Sequence, residues 1–309
     1  MSSCLNCGAG LRPLHDDIED YEYLVAWKSR LVICPDCGLV THSPPIEGVD
    51  IPRLYPDNYH AFSGGSSGKG LYWKLRKALA QFTMRGLLPR LPRGAKFVEI
   101  GCGNGSFLRL LAEARPDLEL HGVDIVDTNI EGIDRFTFHH GMLETLELPE
   151  REYDVLYFNN LIEHVPDPFK FLEKCGRILR PGGRIFGNTP DHLSLDRYLF
   201  GKYWAGYHYP RHTFVFDHHN LAQILEKTGF TDIKLSGSYA FWSLSLRNRL
   251  TPGHGPKKRG ISHAAITAAM LPFDLLINLF RGHGAMSFTA SSTDSSPGSM
   301  FAGGSGPGT

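Results

Sequence analysis

The chain has 309 residues, with 32 Lys and Arg balanced by 32 Asp and Glu, and 42% of it is hydrophobic. That composition excludes a wholly disordered chain, a collagen and a multi-pass membrane protein, and leaves room for one large domain or two modest ones. Zero net charge argues against a dedicated nucleic-acid binder. The front is nevertheless acidic, with 4 basic and 9 acidic residues over 1–60, and the tail is basic, with 6 and 2 over 241–309.

Residues 1–60 hold two matching knuckles, Cys4-Leu-Asn-Cys7-Gly8 and Cys34-Pro-Asp-Cys37-Gly38, with 26 residues between them. Each thiolate pair can bind one face of a tetrahedral Zn²⁺, and four sulfurs leave no position for an activated water, so the expected metal is structural. A redox pair and a vestigial site are the rival readings. Paired cysteines without an apolar leader point to a reducing compartment and a cytoplasmic protein. A Pro/Tyr-rich stretch from Pro44 to Tyr59 follows, then the flexible run Ser63 to Gly68. The spacing of Leu71, Leu75, Ala78, Leu79 and Phe82 predicts a helix over 71–88, ended by Pro89 and Pro92.

From Gly94 the pattern alternates strand and helix. Strands are predicted at Ala95–Ile100, Leu118–Ile125, Phe136–His140, Asp154–Phe158, Arg184–Asn188 and Asp232–Leu235. Helices are predicted at Phe107–Ala114, from Pro168 behind the N-cap Asp167, and over Leu221–Lys227 behind Asp217. Pro181-Gly182-Gly183 is expected to stop the second helix and Gly229 the third. A last strand is placed at Ala285–Thr289, with a Ser/Gly/Pro-rich disordered tail from about 292 to 309. Alternating strands and helices mean a mostly parallel sheet covered on both faces. The expected fold is therefore α/β: a doubly wound, Rossmann-like sheet of seven strands over 94–291, preceded by a small zinc ribbon.

The sharpest signal is Val98-Glu99-Ile100-Gly101-Cys102-Gly103-Asn104-Gly105, a strand entering a glycine turn and then a helix. Asp124 ends the next strand, where a carboxylate can accept both hydroxyls of an adenosyl ribose. Two details set this turn apart from a nicotinamide or flavin site. The third glycine of the dinucleotide fingerprint is replaced by Ser106, and Glu99 suits an ammonium rather than a pyrophosphate. A cofactor with an adenosyl ribose and an amino-acid end fits: S-adenosylmethionine.

The blocks V-E-I-G-C-G-N-G at 98–105, G-V-D-I at 122–125, Y-D-V-L-Y-F-N-N-L-I-E-H-V-P-D-P at 153–168 and L-R-P-G-G-R-I at 179–185 resemble a class I S-adenosylmethionine-dependent methyltransferase. The E-H-V-P-D-P run is similar to that of the ubiquinone-biosynthesis O-methyltransferases. Pro210-Arg211-His212-Thr213-Phe214-Val215-Phe216 resembles a stretch of broad bacterial methyltransferases. The resemblance implies that Glu99, Gly101, Gly103 and Gly105 line the methionine portion, Asp124 the ribose and Ile125 the adenine, with Asn159, Asn160 and Leu161 closing the sulfonium side. Met142 stands where many relatives carry an acid, so backbone groups or Glu144 would meet the adenine amine. Zinc-ribbon segments precede such domains in this superfamily and cover the site, which makes Tyr55 and Tyr59 candidate lid residues; core or surface aromatics are the alternative.

Methyl transfer to a hydroxyl or acidic carbon benefits from a base near neutral pKa. His164, just past the fourth strand, and His212, in the cluster Trp204-Ala-Gly-Tyr207-His208-Tyr209-Pro210-Arg211-His212, are the candidate catalytic residues. His208 and Arg211 are candidate acceptor ligands, Arg211 for a phosphate or carboxylate. The alternative is a packed loop with buried polar anchors. The segment 261–281 reads as a helix packed on the sheet or as an interfacial helix assisted by Lys257-Lys258-Arg259. The expected activity is methyl transfer to a small-molecule acceptor: a sugar, a quinone-like compound or a lipid-linked intermediate. The alternatives are an NAD-dependent oxidoreductase and a non-catalytic zinc-ribbon binding protein.

Overall fold

The computed structural model describes residues 3–56, 59, 87–127, 130, 133, 135–238, 242–253 and 284–293, together with 265, 266, 269, 270 and 272. Residues 71–86 of the helix expected over 71–88, nearly all of segment 261–281 and the tail beyond Thr293 lie outside the described residues.

Seven strands form the main sheet: β4 (Lys96–Ile100), β5 (Glu119–Asp124), β6 (Phe136–His140), β7 (Tyr153–Asn159), β8 (Leu179–Pro190), β10 (Phe230–Gly237) and β11 (Ala285–Ser292). Their order is β10-β11-β8-β7-β4-β5-β6, and β11 alone runs against the rest. Side-chain alternation builds a core on each face. Val98, Ile100, Leu156, Phe158 and Ile185 point to one side, against Phe171, Leu172, Cys175 and Ile178 of α2 (Pro168–Ile178) and Leu221, Ile224 and Leu225 of α4 (His218–Lys227). Phe97, Val155, Tyr157 and Phe186 point to the other, against Leu108 and Leu111 of α1 (Ser106–Ala114). The doubly wound sheet expected from the strand–helix alternation is present.

The Asp167 side chain accepts from the backbone N–H groups of Phe169 and Lys170, and Pro168 occupies the first turn where no N–H is needed. Asp217 caps α4 in a reciprocal capping box with Asn220. One boundary departs from expectation. Pro181-Gly182-Gly183 does not separate helix from strand, because α2 ends at Ile178 and β8 begins at Leu179. A register shift between Tyr153 and Val155 takes up the extra residues: Tyr153 faces Leu179, while Val155 faces Arg184. The last strand likewise continues to Ser292, because Ser291 and Ser292 pair with Thr231 and Phe230.

A second sheet is antiparallel, in the order β1-β2-β3-β9, from β1 (Arg12–His15), β2 (Arg30–Ile33), β3 (Val40–Ser43) and β9 (Phe214–Val215). Three of its strands come from the cysteine-bearing segment and the fourth from the chain after β8. Two short helices, α3 (Leu195–Phe200) and α5 (Trp242–Leu250), have no counterpart in the periodicity reading. No helix among the described residues is long and apolar enough to cross a membrane.

His42 on β3 is buried, and its Nε2 lies 2.9 Å from the carbonyl oxygen of His212, so Nε2–H donates and Nδ1 accepts from Ser29 Oγ at 2.7 Å. Burial pushes its pKa down to about 4, against a smaller upward pull from the His212 carbonyl. The folded protein therefore keeps His42 neutral where the unfolded chain has protonated it. That contribution to stability is complete above pH 6.5 and is lost as pH falls toward 4. His42→Gln, which keeps a donor to His212, should reduce the pH dependence of the unfolding free energy by about one proton across that window, measured by urea denaturation at stepped pH.

Candidate functional site

The glycine turn joins β4 to α1 at the carboxyl end of the sheet. Gly101, Gly103 and Gly105 all have positive φ (73°, 52° and 68°), backbone that other residues adopt only with strain. A Cβ on Gly105 would lie 2.7 Å from Ile130 Cγ2, whereas a Cβ on Gly103 would meet nothing within 4 Å. The turn is closed on its Ile130 side and open at Gly103, where a ligand can approach the main chain.

Two carboxylates flank this opening. Glu99 is buried on β4, and its Oε2 has no hydrogen-bond partner among the described residues. Burial raises its pKa well above the ordinary carboxylate value, and the nearby charge of Asp124 adds to the effect. A buried carboxyl with an idle oxygen fits a ligand ammonium, which would satisfy it and favour its ionised form. Asp124 ends β5 and accepts from the Gly103 N–H at Oδ2 (2.7 Å) and the Val126 N–H at Oδ1 (2.9 Å), which fixes the carboxylate against the turn. Ile125 beside it is 48% exposed, an apolar face open to a ring. Asn159, at the end of β7, is exposed, and the Asn160 N–H donates to Asn188 Oδ1 at 3.0 Å. Leu161 packs on Gly101. Glu144 is half-buried, and burial raises its pKa. The residues present fit the amino-acid and ribose ends of S-adenosylmethionine.

One 3-10 turn further along, Ile162–His164 carries the chain into a second group of polar side chains. His164 Nδ1 lies 3.1 Å from the Arg211 carbonyl oxygen and 2.9 Å from the Tyr55 hydroxyl. A carbonyl only accepts, so Nδ1 carries the proton and Nε2 the lone pair. The same argument applies to His212, whose Nδ1 lies 2.8 Å from the Gly206 carbonyl oxygen. Burial, followed by neighbouring His164, drives the His212 pKa well down and keeps that ring neutral. The two rings meet edge to face with centroids 4.5 Å apart. Glu163, fully buried, lies 3.9 Å from His212 Nε2, and its pKa is raised by burial to about 8. Thr189 adjoins Glu163 and pulls the other way, yet neither side chain makes a hydrogen bond of normal geometry among the described residues. Glu163, His164 and His212 each bring one ligand atom to within 4.8 Å of the others, a donor set that could hold a cation or orient a hydroxyl.

Arg211 does not have the role expected of it. Its guanidinium is fully buried, and its fork is filled by Asp20, with Nη1 to Oδ2 at 2.7 Å and Nη2 to Oδ1 at 2.8 Å. Tyr23 stacks beneath it at 4.7 Å. An acceptor phosphate or carboxylate would have to displace a bidentate, desolvated partner, so the cation is a structural anchor here. Arg211 Nε–H also donates to His208 Nε2 at 2.9 Å, which makes Nε2 the acceptor and leaves Nδ1–H for Glu22 Oε2 at 2.9 Å. The Tyr59 hydroxyl reaches the same His208 Nε2 at 3.2 Å, and Tyr55 and Tyr59 meet edge to face at 4.8 Å. Tyr55, Tyr59, His164, His208 and His212 are thus brought together.

Asp20, Glu22, Tyr23, His42 and Glu163 were missed from the sequence. Asp20 and Glu22 belong to the acidic run D-D-I-E-D-Y-E-Y at 16–23, which carries no motif. The available signal was the acidic excess of the front of the chain, set against a loop rich in His and Arg.

At the knuckles, Cys4 and Cys37 Sγ lie 3.5 Å apart, Cys7 and Cys34 Sγ lie 3.4 Å apart, and all four fall within 4.8 Å of one another. The two turns repeat one geometry, with Gly8 N–H on Cys4 O and Gly38 N–H on Cys34 O. Four sulfurs so placed fit tetrahedral Zn²⁺.

A methyltransferase-domain family profile matches residues 72–235. Among curated proteins, the chain is 30% identical over 131 residues to 27-O-demethylrifamycin SV methyltransferase of Amycolatopsis mediterranei, covering 37% of this chain and 47% of that one. It is 28% identical over 123 residues to a ubiquinone biosynthesis O-methyltransferase of Aromatoleum aromaticum, covering 37% and 51%. The chain thus spans about half the length of the curated relatives it matches. Among solved structures it is similar to phosphoethanolamine N-methyltransferase 2 of Haemonchus contortus, with 20% identity, a TM-score of 0.49 and coverage of 69% and 53%.

Because Asp20 and Arg211 are both desolvated, Asp20→Ala should destabilise the protein by about 3–5 kcal/mol, read from chemical denaturation. The double change Asp20→Leu with Arg211→Met should cost less than Asp20→Ala alone, since no charge is then left unpaired.

Proposed function

The chain belongs to the methyltransferase-domain family, and on that premise we propose that it moves the methyl group of S-adenosylmethionine to a hydroxyl or acidic carbon of a small molecule. The observation that carries this reading is Glu99, a buried carboxyl with an idle oxygen beside an open glycine turn. When bound, the cofactor supplies a methyl group already activated by a sulfonium. The chain's own residues have three tasks. Glu99 binds the ammonium, Asp124 orients the ribose, and Ile125 covers the adenine.

On the acceptor side, His164 Nε2 has the lone pair needed to take a proton, and its Nδ1–H is fixed on the Arg211 carbonyl. His212 stays neutral beside it and helps to align the acceptor, while Tyr55, Tyr59 and His208 form an aromatic, hydroxyl-bearing wall. Such a wall suits a polyhydroxylated or flat ring, so a sugar, a quinone-like compound or a lipid-linked intermediate is the proposed acceptor class. The O-methyltransferases among the relatives favour oxygen as the atom methylated. We assign one structural zinc to Cys4, Cys7, Cys34 and Cys37, and the cytoplasm as the site of action, with peripheral membrane contact through 261–281. An oxidoreductase reading is disfavoured by Ser106 and by Glu99, whose charge would oppose a pyrophosphate.

Titration calorimetry should show binding of S-adenosylmethionine but not of NAD, and Glu99→Gln should weaken it at least about tenfold, by loss of the charge partner to the amine. His164→Gln should leave cofactor affinity intact while lowering turnover on a methyl acceptor about 10²–10⁴-fold. Absence of heat with S-adenosylmethionine would refute the reading.

A further inference from the structure

The two knuckles do not sit on a domain of their own. Cys4 and Cys34 share one apolar cluster with Phe214, Phe216, Leu221 and Ile224. Asn6, inside the first knuckle, donates from Nδ2 to Gln223 Oε1 at 2.9 Å and accepts from Lys227 Nζ at Oδ1 at 2.8 Å. The Cys37 carbonyl, in the second knuckle, accepts from Asn220 Nδ2 at 3.2 Å. Gly38 fits so closely under the α4 cap that a Cβ there would lie 2.5 Å from Asp217 Oδ2. Both knuckles therefore rest on the segment 214–227, which begins two residues after His212.

The strand leaving the second knuckle continues the connection residue by residue. Val40 pairs with Val215 and Thr41 with Phe214. Thr41 Oγ1–H donates to the Thr213 carbonyl at 3.1 Å, and His42 Nε2–H donates to the His212 carbonyl at 2.9 Å. Three consecutive residues of β3 thus fix four consecutive residues of the acceptor-side loop. Thr213 Oγ1–H donates in turn to the Glu163 and Val165 carbonyls at 3.0 and 2.6 Å, which holds His212 against the turn bearing His164. The glycine turn is fixed differently, by the Val123 carbonyl and the Asp124 carboxylate of β5.

We infer that the knuckle sheet is a positioning element of the acceptor side: metal bound at the four thiols sets the placement of His212 through Thr41 and His42, and leaves the cofactor turn unaffected. The physical reason is size. β1, β2 and β3 have four residues each and β9 has two, so backbone pairing alone holds this sheet weakly and a cross-link at its knuckle end adds to it. With the four thiols reduced and paired at 3.4–3.5 Å, a cation bound by all of them supplies that cross-link. His42 is the positioning residue, and its replacement should reproduce loss of the metal at the loop alone.

This inference rests on the proposed function only in taking the 204–213 loop as the acceptor side, and its test does not need the acceptor. The full-length chain is prepared with one equivalent of zinc, stripped by a chelator and reloaded, with the metal counted by native mass spectrometry. Stripping should speed amide hydrogen exchange over 205–216 at least about tenfold, while affinity for S-adenosylhomocysteine stays within about twofold. Reloading should restore both values. His42→Phe should speed exchange over 211–215 with zinc still bound, and His42→Gln, which restores a donor to the His212 carbonyl, should reverse the effect. Unchanged exchange at the loop after stripping and in His42→Phe overturns the inference. So does a collapse of S-adenosylhomocysteine affinity in step with the loop, because the metal would then hold the whole fold. If zinc-loaded protein binds no S-adenosylhomocysteine, the methyl-transfer reading fails, and loop exchange still decides the coupling.

Discussion

At the carboxyl end of the parallel sheet, a guanidinium with no access to water has to be neutralised, and a residue from the first twenty of the chain does so. Arg211 and Asp20 are 191 positions apart and form a bidentate pair at 2.7 and 2.8 Å. Desolvating two charges is costly, and the cost is met only if the geometry is complete. Asp20 completes it by accepting the backbone N–H groups of Glu22, Tyr23 and Val25 as well. The pair consequently fixes the N-terminal segment over the loop, and the rest of the polar cluster inherits its positions. His208 is oriented between Arg211 and Glu22, and His164 is oriented by the Arg211 carbonyl.

The two sides of the site differ in how their polar groups are satisfied. On the loop side, the His42, His164 and His212 rings are hydrogen-bonded to fixed backbone carbonyls, which set their tautomers. On the turn side, a buried acid keeps an oxygen idle, and left-handed Gly103 leaves the main chain open to approach. A satisfied network rigidifies what it contains, whereas an idle buried acid favours a ligand that brings a positive charge. Under the proposed function, that contrast favours the turn for the cofactor and the loop for the acceptor. Glu163, with no well-formed hydrogen bond among the described residues, lies at the junction between the two.

Much of this was legible in the sequence because it depends on local rules. The N-caps at Asp167 and Asp217, the glycine turn and the apolar run of β7 all follow from period, capping and φ. The paired-cysteine knuckles were readable for the same reason, since each is a closed five-residue turn. What the sequence concealed is non-local. Nothing near Phe214 and Val215 marks them as the edge partner of a strand at residue 40, because a two-residue strand carries no period. Arg211 was read as an acceptor ligand because an arginine among aromatics suits an anion, and only the folded chain shows that Asp20 already occupies it. Pro181-Gly182-Gly183 misled for a related reason: a bulge between paired strands absorbs residues that normally end an element.

The claim at the centre of this account is that a cationic amine belongs against Glu99 and a ribose against Asp124. A crystal structure of the full chain with S-adenosylhomocysteine tests it directly. The account predicts the ligand's amine within hydrogen-bond distance of Glu99, its ribose hydroxyls on Asp124, and Arg211 still paired with Asp20. A ligand bound elsewhere, or bound with its amine away from a still idle Glu99, would contradict it.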